Sequence, residues 1–178
     1  MTNPHAPPNA THTPAATLSH AAPDGSARMV DVGDKPITAR SATAEGFVRV
    51  SAALEQRIRE NSLAKGSVLD VARLAGILAA KRTDELIPLC HTLPLDAVDV
   101  LAELQAGRVR VAATVRTQSR TGVEMEALTA VAIACLTVID MGKAVDKGMV
   151  IEGLRILEKR GGRSGPYTAP ASEPGQGS

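Results

Sequence analysis

The sequence predicts an α+β sandwich, an antiparallel sheet with its helices packed on one face, and three observations lead there. Val98, Val100, Ala102 and Leu104 alternate with Asp99, Leu101 and Glu103; Val109, Val111, Ala113 and Val115 alternate with Arg108, Arg110, Ala112, Thr114 and Arg116. The short Gln105-Ala106-Gly107 loop between the two runs makes them a hairpin with a valine face toward the core and an arginine face toward water. Residues 127–141 read as a helix that is apolar almost all the way round, interrupted before Asp140 only by Thr129 and Thr137, so it is covered on more than one side. The elements then run strand, helix pair, strand, strand, helix, strand. That β-α-β-β-α-β order is the pattern of a ferredoxin-like sandwich with one additional helix.

In chain order, residues 46–51 (GFVRVS) are short and β-branched and predict the first strand. Ser51 caps a helix that carries Leu54 and Ile58 one turn apart and ends near Asn61. Ser67, with Asp70 three residues on, resembles a capping box for a second helix reaching about Arg82. Val68, Val71, Leu74, Ala75 and Leu78 give that helix one apolar stripe. Pro88 and Pro94 enforce an irregular segment, LIPLCHTLPL, before the hairpin. A last strand is expected at residues 149–159, after the buried helix.

Composition bounds the rest. Residues 1–28 are rich in Ala, Pro, Thr and His and hold almost no large apolar side chains, so a disordered tail is expected there. Residues 161–178 have the Gly/Pro/Ser content of a second tail, which leaves one folded domain at 29–160. A net charge of +1 offers no global field for nucleic acid or membrane. With Phe47 and Tyr167 as the aromatics, base stacking has no platform, which sets aside an RNA-binding domain of this fold. Cys90 and Cys135 form no CxxC and imply neither a disulfide framework nor a zinc site. No signal peptide and no membrane-spanning run is read, so a cytoplasmic protein is expected.

No Walker loop, GxGxxG, GxSxG or HExxH is present, and GGRSG (161–165) opens no helix, which makes it a weak phosphate cradle. Candidate chemistry therefore rests on single residues. His91 is the one histidine of the folded unit; a loop histidine bonded to backbone and a functional one fit its position equally. Cys90 beside it reads as a small buried residue. Thr121-Gly122-Val123-Glu124 reads as a capping box, which accounts for Glu124 but not for Glu126. Asp140 and Lys143 share a helix face. They are a surface ion pair or, at the end of the most buried helix, a partly desolvated acid/base pair. Gly142 between them costs about 1 kcal/mol in a helix relative to Ala, so something is expected to approach its backbone closely. Lys65 lies in the loop before a helix N-terminus, a position suited to an anion. Arg40 is one of several scattered cations.

The stretches MVDV (29–32), KG-V (65–68), RLAGILAAKRTDELIPLCHTL (73–93), GVEMEALTA (122–130), DMGKAVDKGMVI (140–151) and GGRSG (161–165) resemble the molybdenum cofactor biosynthesis protein C family, the cyclic pyranopterin monophosphate synthases. The resemblance covers about 29–165 in order, and IPLCH, GVEMEALT and the D-M-x-K-A-V run are its most specific parts. It implies a lyase that converts a cyclised dihydroguanosine triphosphate to cyclic pyranopterin monophosphate and releases pyrophosphate. It places catalytic roles on Asp140, Lys65 and Lys143, and substrate binding on Leu89, Cys90, His91, Met125 and Glu126. Arg40 suits the triphosphate. It implies a homohexamer built as a trimer of dimers, with no cofactor and no metal ligand among these residues. LCHTL stands where LCHPL is commoner in the family, a change that touches no chemical group. A non-catalytic sensor domain of the same fold is the competing class, and it would not need an Asp/Lys pair with perturbed proton affinities.

Overall fold

A computed structural model of the chain describes residues 26–170. Most of the expected N-terminal tail, with His5, His12 and His20, and residues 171–178 lie outside the described residues. The elements are β1 (Thr38–Arg49), α1 (Ala52–Arg59), α2 (Val68–Ala80), α3 (Thr83–Leu86), β2 (Ala97–Gln105), β3 (Arg108–Ser119), α4 (Glu124–Gly142), β4 (Val150–Arg160) and β5 (Tyr167–Thr168). The sheet order is β2-β3-β1-β4-β5 and every pairing is antiparallel. Helices α2 and α4 pack on one face, so the architecture is that of a ferredoxin-like sandwich. The two-residue β5 comes from the segment whose composition reads as a C-terminal tail.

β1 begins eight residues before its sequence signal, at Thr38 rather than Gly46. Its first half, TARSATAE, has little β-branched content. Position decides instead: β1 is hydrogen-bonded to β3 on one side and β4 on the other, and that pairing overrides weak local preference. Its core face is nearly bare, with Ala42, Ala44 and Gly46 all buried. A Cβ on Gly46 would stand 2.9 Å from Val131 Cγ1, so α4 lies on this strand as closely as backbone allows. Val109, Val111, Ala113 and Val115 of β3 complete the aliphatic floor, as the alternation of the hairpin requires.

Ser51 and Ser67 cap α1 and α2, accepting from Leu54 N and Asp70 N at 3.4 Å. The face that α2 buries is a correction to its predicted stripe. Val68, Ala72, Gly76 and Ala79 are inside, whereas Val71, Leu74 and Leu78 are 39%, 62% and 56% exposed. The reason is steric. A Cβ at Gly76 would lie 3.0 Å from the Ala130 carbonyl, so α2 meets α4 on its small-residue side and its larger side chains are left facing outward. α4 also reveals a limit of the sequence reading, since it is long and apolar enough to cross a membrane by length and composition. Here Ala127, Ala130, Val131, Ala134, Cys135 and Val138 spend that apolarity inside the sandwich.

The arginine face is not wholly wet. Glu45 on β1 is only 7% exposed there, held by Arg155 Nη2 at 3.0 Å and Arg110 Nη2 at 3.3 Å. Two charge-assisted partners satisfy this buried carboxylate.

The closeness of β1 and α4 yields a test. Gly46→Ala is expected to destabilise the fold by about 1–3 kcal/mol through overpacking, read from the urea midpoint. Val131→Ala in the same chain should recover part of that loss, because it removes the methyl group that the new Cβ meets.

Candidate active site

Two groups of predicted residues sit at the two ends of α4. At the C-terminal end, Asp140 accepts from Lys143 Nζ at Oδ1 and from Lys65 Nζ at Oδ2, both at 2.7 Å. Lys65 also donates to the Asp140 carbonyl at 3.0 Å. Lys143 reaches Asp140 because it stands one turn on, as the C-cap of α4. Lys65 arrives on the loop between α1 and α2. The close approach expected at Gly142 is made by α1: a Cβ there would stand 2.7 Å from Leu54 Cδ2. Asp146 then anchors the following turn, accepting from Ser51 N at 2.7 Å and Gly148 N at 2.8 Å.

Hydrogen bonds from Lys143 and then Lys65, with the charges of both, hold the Asp140 carboxyl down at about 2. Asp140 is thus an anion that fixes two ammonium groups. The desolvated pair expected from sequence is not what the single chain presents, for all three side chains are about half exposed or more. Among the described residues no side chain covers the Asp140 cluster.

The N-terminal end is different. Val123 is the N-cap and offers no side-chain hydrogen bond, so the predicted capping box does not form. Glu124 instead folds back over Gly122 and faces Lys159 at 3.7 Å. Glu126, one turn into the helix, is 4% exposed. Burial, reinforced by the negative charges of Glu124 and Asp84, pushes its carboxyl up to about 7, against the effect of its own backbone N–H. A cavity of about 310 Å³ opens beside it. Leu89, Cys90, His91, Met125 and Glu126, all predicted, line this cavity together with Val30 and Val32 of the MVDV segment. His91 Nε2 lies 2.8 Å from the Val30 carbonyl. A carbonyl only accepts, so that nitrogen carries the proton and ties the segment down. Burial and the nearby Glu126 and Asp84 charges push the Cys90 thiol up, which makes it a poor nucleophile.

A second cavity, about 940 Å³, adjoins the first, and Lys35, Thr121, Gly122 and Glu124 line both. Its walls carry Lys35, Arg40, Arg120, Lys159, Arg160 and Arg163 against the one carboxylate of Glu124. Arg40 is held open toward it by the Ser119 and Arg120 carbonyls, each 3.4 Å away. GGRSG, which opens no helix, forms one wall of this cavity. Gly161 and Gly162 have φ of +86° and +91° and pass so close to Ala39 and Arg40 that a Cβ at either position would collide. Of these cations only Arg40 was singled out from sequence. Lys35, Arg120, Lys159 and Arg163 come from four separate stretches and only the fold gathers them. The glycine pair was the one local sign.

The structure therefore joins Arg40 with the Leu89–Glu126 set through adjoining cavities, and joins Lys65, Asp140 and Lys143, but it separates the two groups. Glu126 and Asp140 are at opposite ends of one helix, about 21 Å apart at about 1.5 Å per residue. Proton transfer needs contact near 3 Å, roughly, or one bridging water.

A family-wide sequence profile, that of the MoaC family, matches residues 29–162. The chain belongs to the MoaC family. It is 55% identical over 157 residues to the cyclic pyranopterin monophosphate synthase of Parvibaculum lavamentivorans, covering 87% of this chain and 98% of that one. The enzyme of the same name from a Methylobacterium species is 58% identical over 156 residues, 86% of this chain and 98% of its own. That of Thermomicrobium roseum is 57% identical over 154 residues, 85% and 93% of the two chains. The matched span contains both cavities except for Arg163 and Ser164, and the whole Asp140 cluster.

The Glu126 environment sets a pH dependence with a definite sign. The folded chain keeps a proton on Glu126 up to about pH 7, whereas an unfolded glutamate releases it at the ordinary value of 4.5. Folding stability should therefore fall as pH rises through that window, by about 3 kcal/mol at most, and stay down above it. Glu126→Gln removes that fall. Urea unfolding should find the variant matched with wild type at pH 4 and more stable at pH 8; a less stable variant at pH 8 contradicts the assignment.

Proposed function

We propose that this chain is a lyase that converts a cyclised dihydroguanosine triphosphate to cyclic pyranopterin monophosphate with release of pyrophosphate, an early step of molybdenum cofactor biosynthesis. The activity for which its relatives are named supports this. The observation that carries it is the pair of adjoining cavities. The cation-lined one suits a polyphosphate and its leaving pyrophosphate, since Lys35, Arg40, Arg120, Lys159 and Arg163 neutralise charge that grows on the departing oxygens. The smaller one, with apolar walls from Val30, Val32, Leu89, Leu93 and Met125 and polar groups from His91 and Glu126, suits a guanine-derived ring. Opening that ring and closing a cyclic phosphate require proton transfers and a stabilised leaving group, and no step needs an electron carrier. A cytoplasmic setting accords with such a biosynthetic step.

The reading also assigns Asp140, Lys65 and Lys143 to the reaction, with Asp140 aligning the two ammonium groups for proton transfer and charge stabilisation. They cannot serve a ring bound at the far end of their own α4. A second copy is proposed to bring its α4 C-terminus to the cavities of the first, in a symmetric dimer that assembles further into a trimer of dimers. Three features support a partner. The Asp140 cluster is uncovered, α2 presents Val71, Leu74 and Leu78 outward, and Leu136 on α4 is 51% exposed. Apolar area of this kind on two neighbouring helices is what a subunit contact covers.

Incubation of the purified chain with the cyclised triphosphate, followed by pyrophosphate and pterin assay, tests the activity. Mixing tests the shared site. Asp140→Ala and His91→Ala are each expected to be inactive alone. After subunit exchange, mixed dimers carry one intact site, and roughly a quarter of wild-type specific activity should return. Lys65→Ala mixed with Asp140→Ala should stay inactive, because these two residues meet within one chain. Recovery in the second mixture, or none in the first despite proven exchange, would contradict the arrangement.

A further inference from the structure

Glu126 is the one strongly buried carboxyl that lines either cavity. Among the described residues no cation pairs with it; its carboxyl is bonded to its own backbone N–H. Glu45, the other deeply buried carboxyl, shows what a structural acid looks like here, with Arg110 and Arg155 both bonded to it. A fold that supplies two arginines to one buried acid and none to another has left the second with a cost. Such a cost persists where the group has a task in the adjoining cavity.

We propose that Glu126 is a catalytic proton donor of the ring-binding cavity, entering each cycle as the neutral acid. The assignment rests on the lyase reading above. When a C–N bond of the guanine-derived five-membered ring breaks, the electron pair goes to nitrogen. The Glu126 carboxyl gives that nitrogen its proton, leaving a carboxylate. A water adds its oxygen to the carbon that lost the nitrogen and returns its proton to the Glu126 carboxylate, so the ring opening is a hydrolysis in which one water is consumed and protons and charge balance.

The groups of its own chain oppose ionisation of this acid. On α4 Glu124 lies two residues away, and α3 contributes Asp84; both are negative and oppose ionisation. The loop after α3 contributes the Cys90 thiol and His91, whose Nε2 proton is committed to the Val30 carbonyl. The N-terminal segment contributes Lys35, which lines the cavity without an ion pair to Glu126. Val30 and Val32 from that same segment wall the cavity and limit water. With burial as the main cause, the carboxyl stands at about 7, the range in which a general acid both holds and releases a proton at neutral pH.

The test is steady-state kinetics of Glu126→Gln and Glu126→Asp with the cyclised triphosphate from pH 5 to 9. For Glu126→Gln, kcat should fall about a hundredfold or more with KM changed little. Wild-type kcat should decline above about pH 7, and Glu126→Gln should lack that limb. Glu126→Asp should regain part of kcat and a shifted limb. A rise in KM at unchanged kcat would make Glu126 a substrate anchor and overturn the proposal. So would an alkaline limb that survives in Glu126→Gln. Absence of turnover by the wild-type chain would instead strike the lyase reading, and this assignment with it. Unfolding at pH 8, where Glu126→Gln gains stability, separates a lost proton donor from a damaged fold.

Discussion

The contact between α4 and the bare core face of β1 governs the rest of the structure. With few aromatic side chains available, the core is filled by valine, alanine and leucine, and such side chains pack well only when backbones approach closely. Gly46 lets the strand reach Val131, Gly76 lets α2 reach the Ala130 carbonyl, and Gly142 lets Leu54 close the far end. The result is a largely buried helix of 19 residues whose length fixes how far apart its two ends stand. Among the described residues, the Glu126 cavity and the Asp140 cluster lie at those two ends.

The ends are opposites in electrostatics, and the difference follows from two cations at one end and burial at the other. At the C-terminal end Asp140 is exposed between two ammonium groups and is held ionised down to about 2. At the N-terminal end Glu126 is buried without a cation and keeps its proton to about 7. A helix N-terminus favours a carboxylate, so the dipole works against what is observed there and desolvation wins. Carboxyls whose surroundings push them so far apart divide naturally into an anchor for cations and a holder of a proton. Brought together across two chains, they complement one another. Kept in one chain, they never meet.

Much of this was legible in the residues. The hairpin alternation, the serine caps at Ser51 and Ser67, the all-apolar helix and the element order gave the fold, because each depends on local pattern. The Asp140–Lys143 pair was legible from helix spacing, and the significance of Gly142 from its cost. What local pattern missed has a common cause in tertiary context. The first half of β1 is a strand only because it has two neighbours. The α2 stripe of Val71, Leu74 and Leu78 faces outward because the small residues opposite it pack closer. The cation-lined cavity is assembled from residues far apart in the chain, and only Gly161 and Gly162, with their positive φ and their contact with Arg40, hinted at it.

The central claim, that one chain's α4 C-terminus completes its neighbour's cavity, has a direct physical measurement. Cys90 lines the ring cavity and is partly exposed, whereas Cys135 is buried and its thiol is pushed up to about 12, so it does not compete. Lys143→Cys places a second accessible thiol at the opposite end of α4, too far from Cys90 in the same chain for a short bis-maleimide to span, and alkaline pH offsets the raised Cys90 thiol. Treatment with that reagent should give a covalent dimer on a denaturing gel, and Cys90→Ser in the same background should abolish it. If mass spectrometry finds both thiols modified in chains that all remain monomeric, the two ends do not meet and the shared site is wrong.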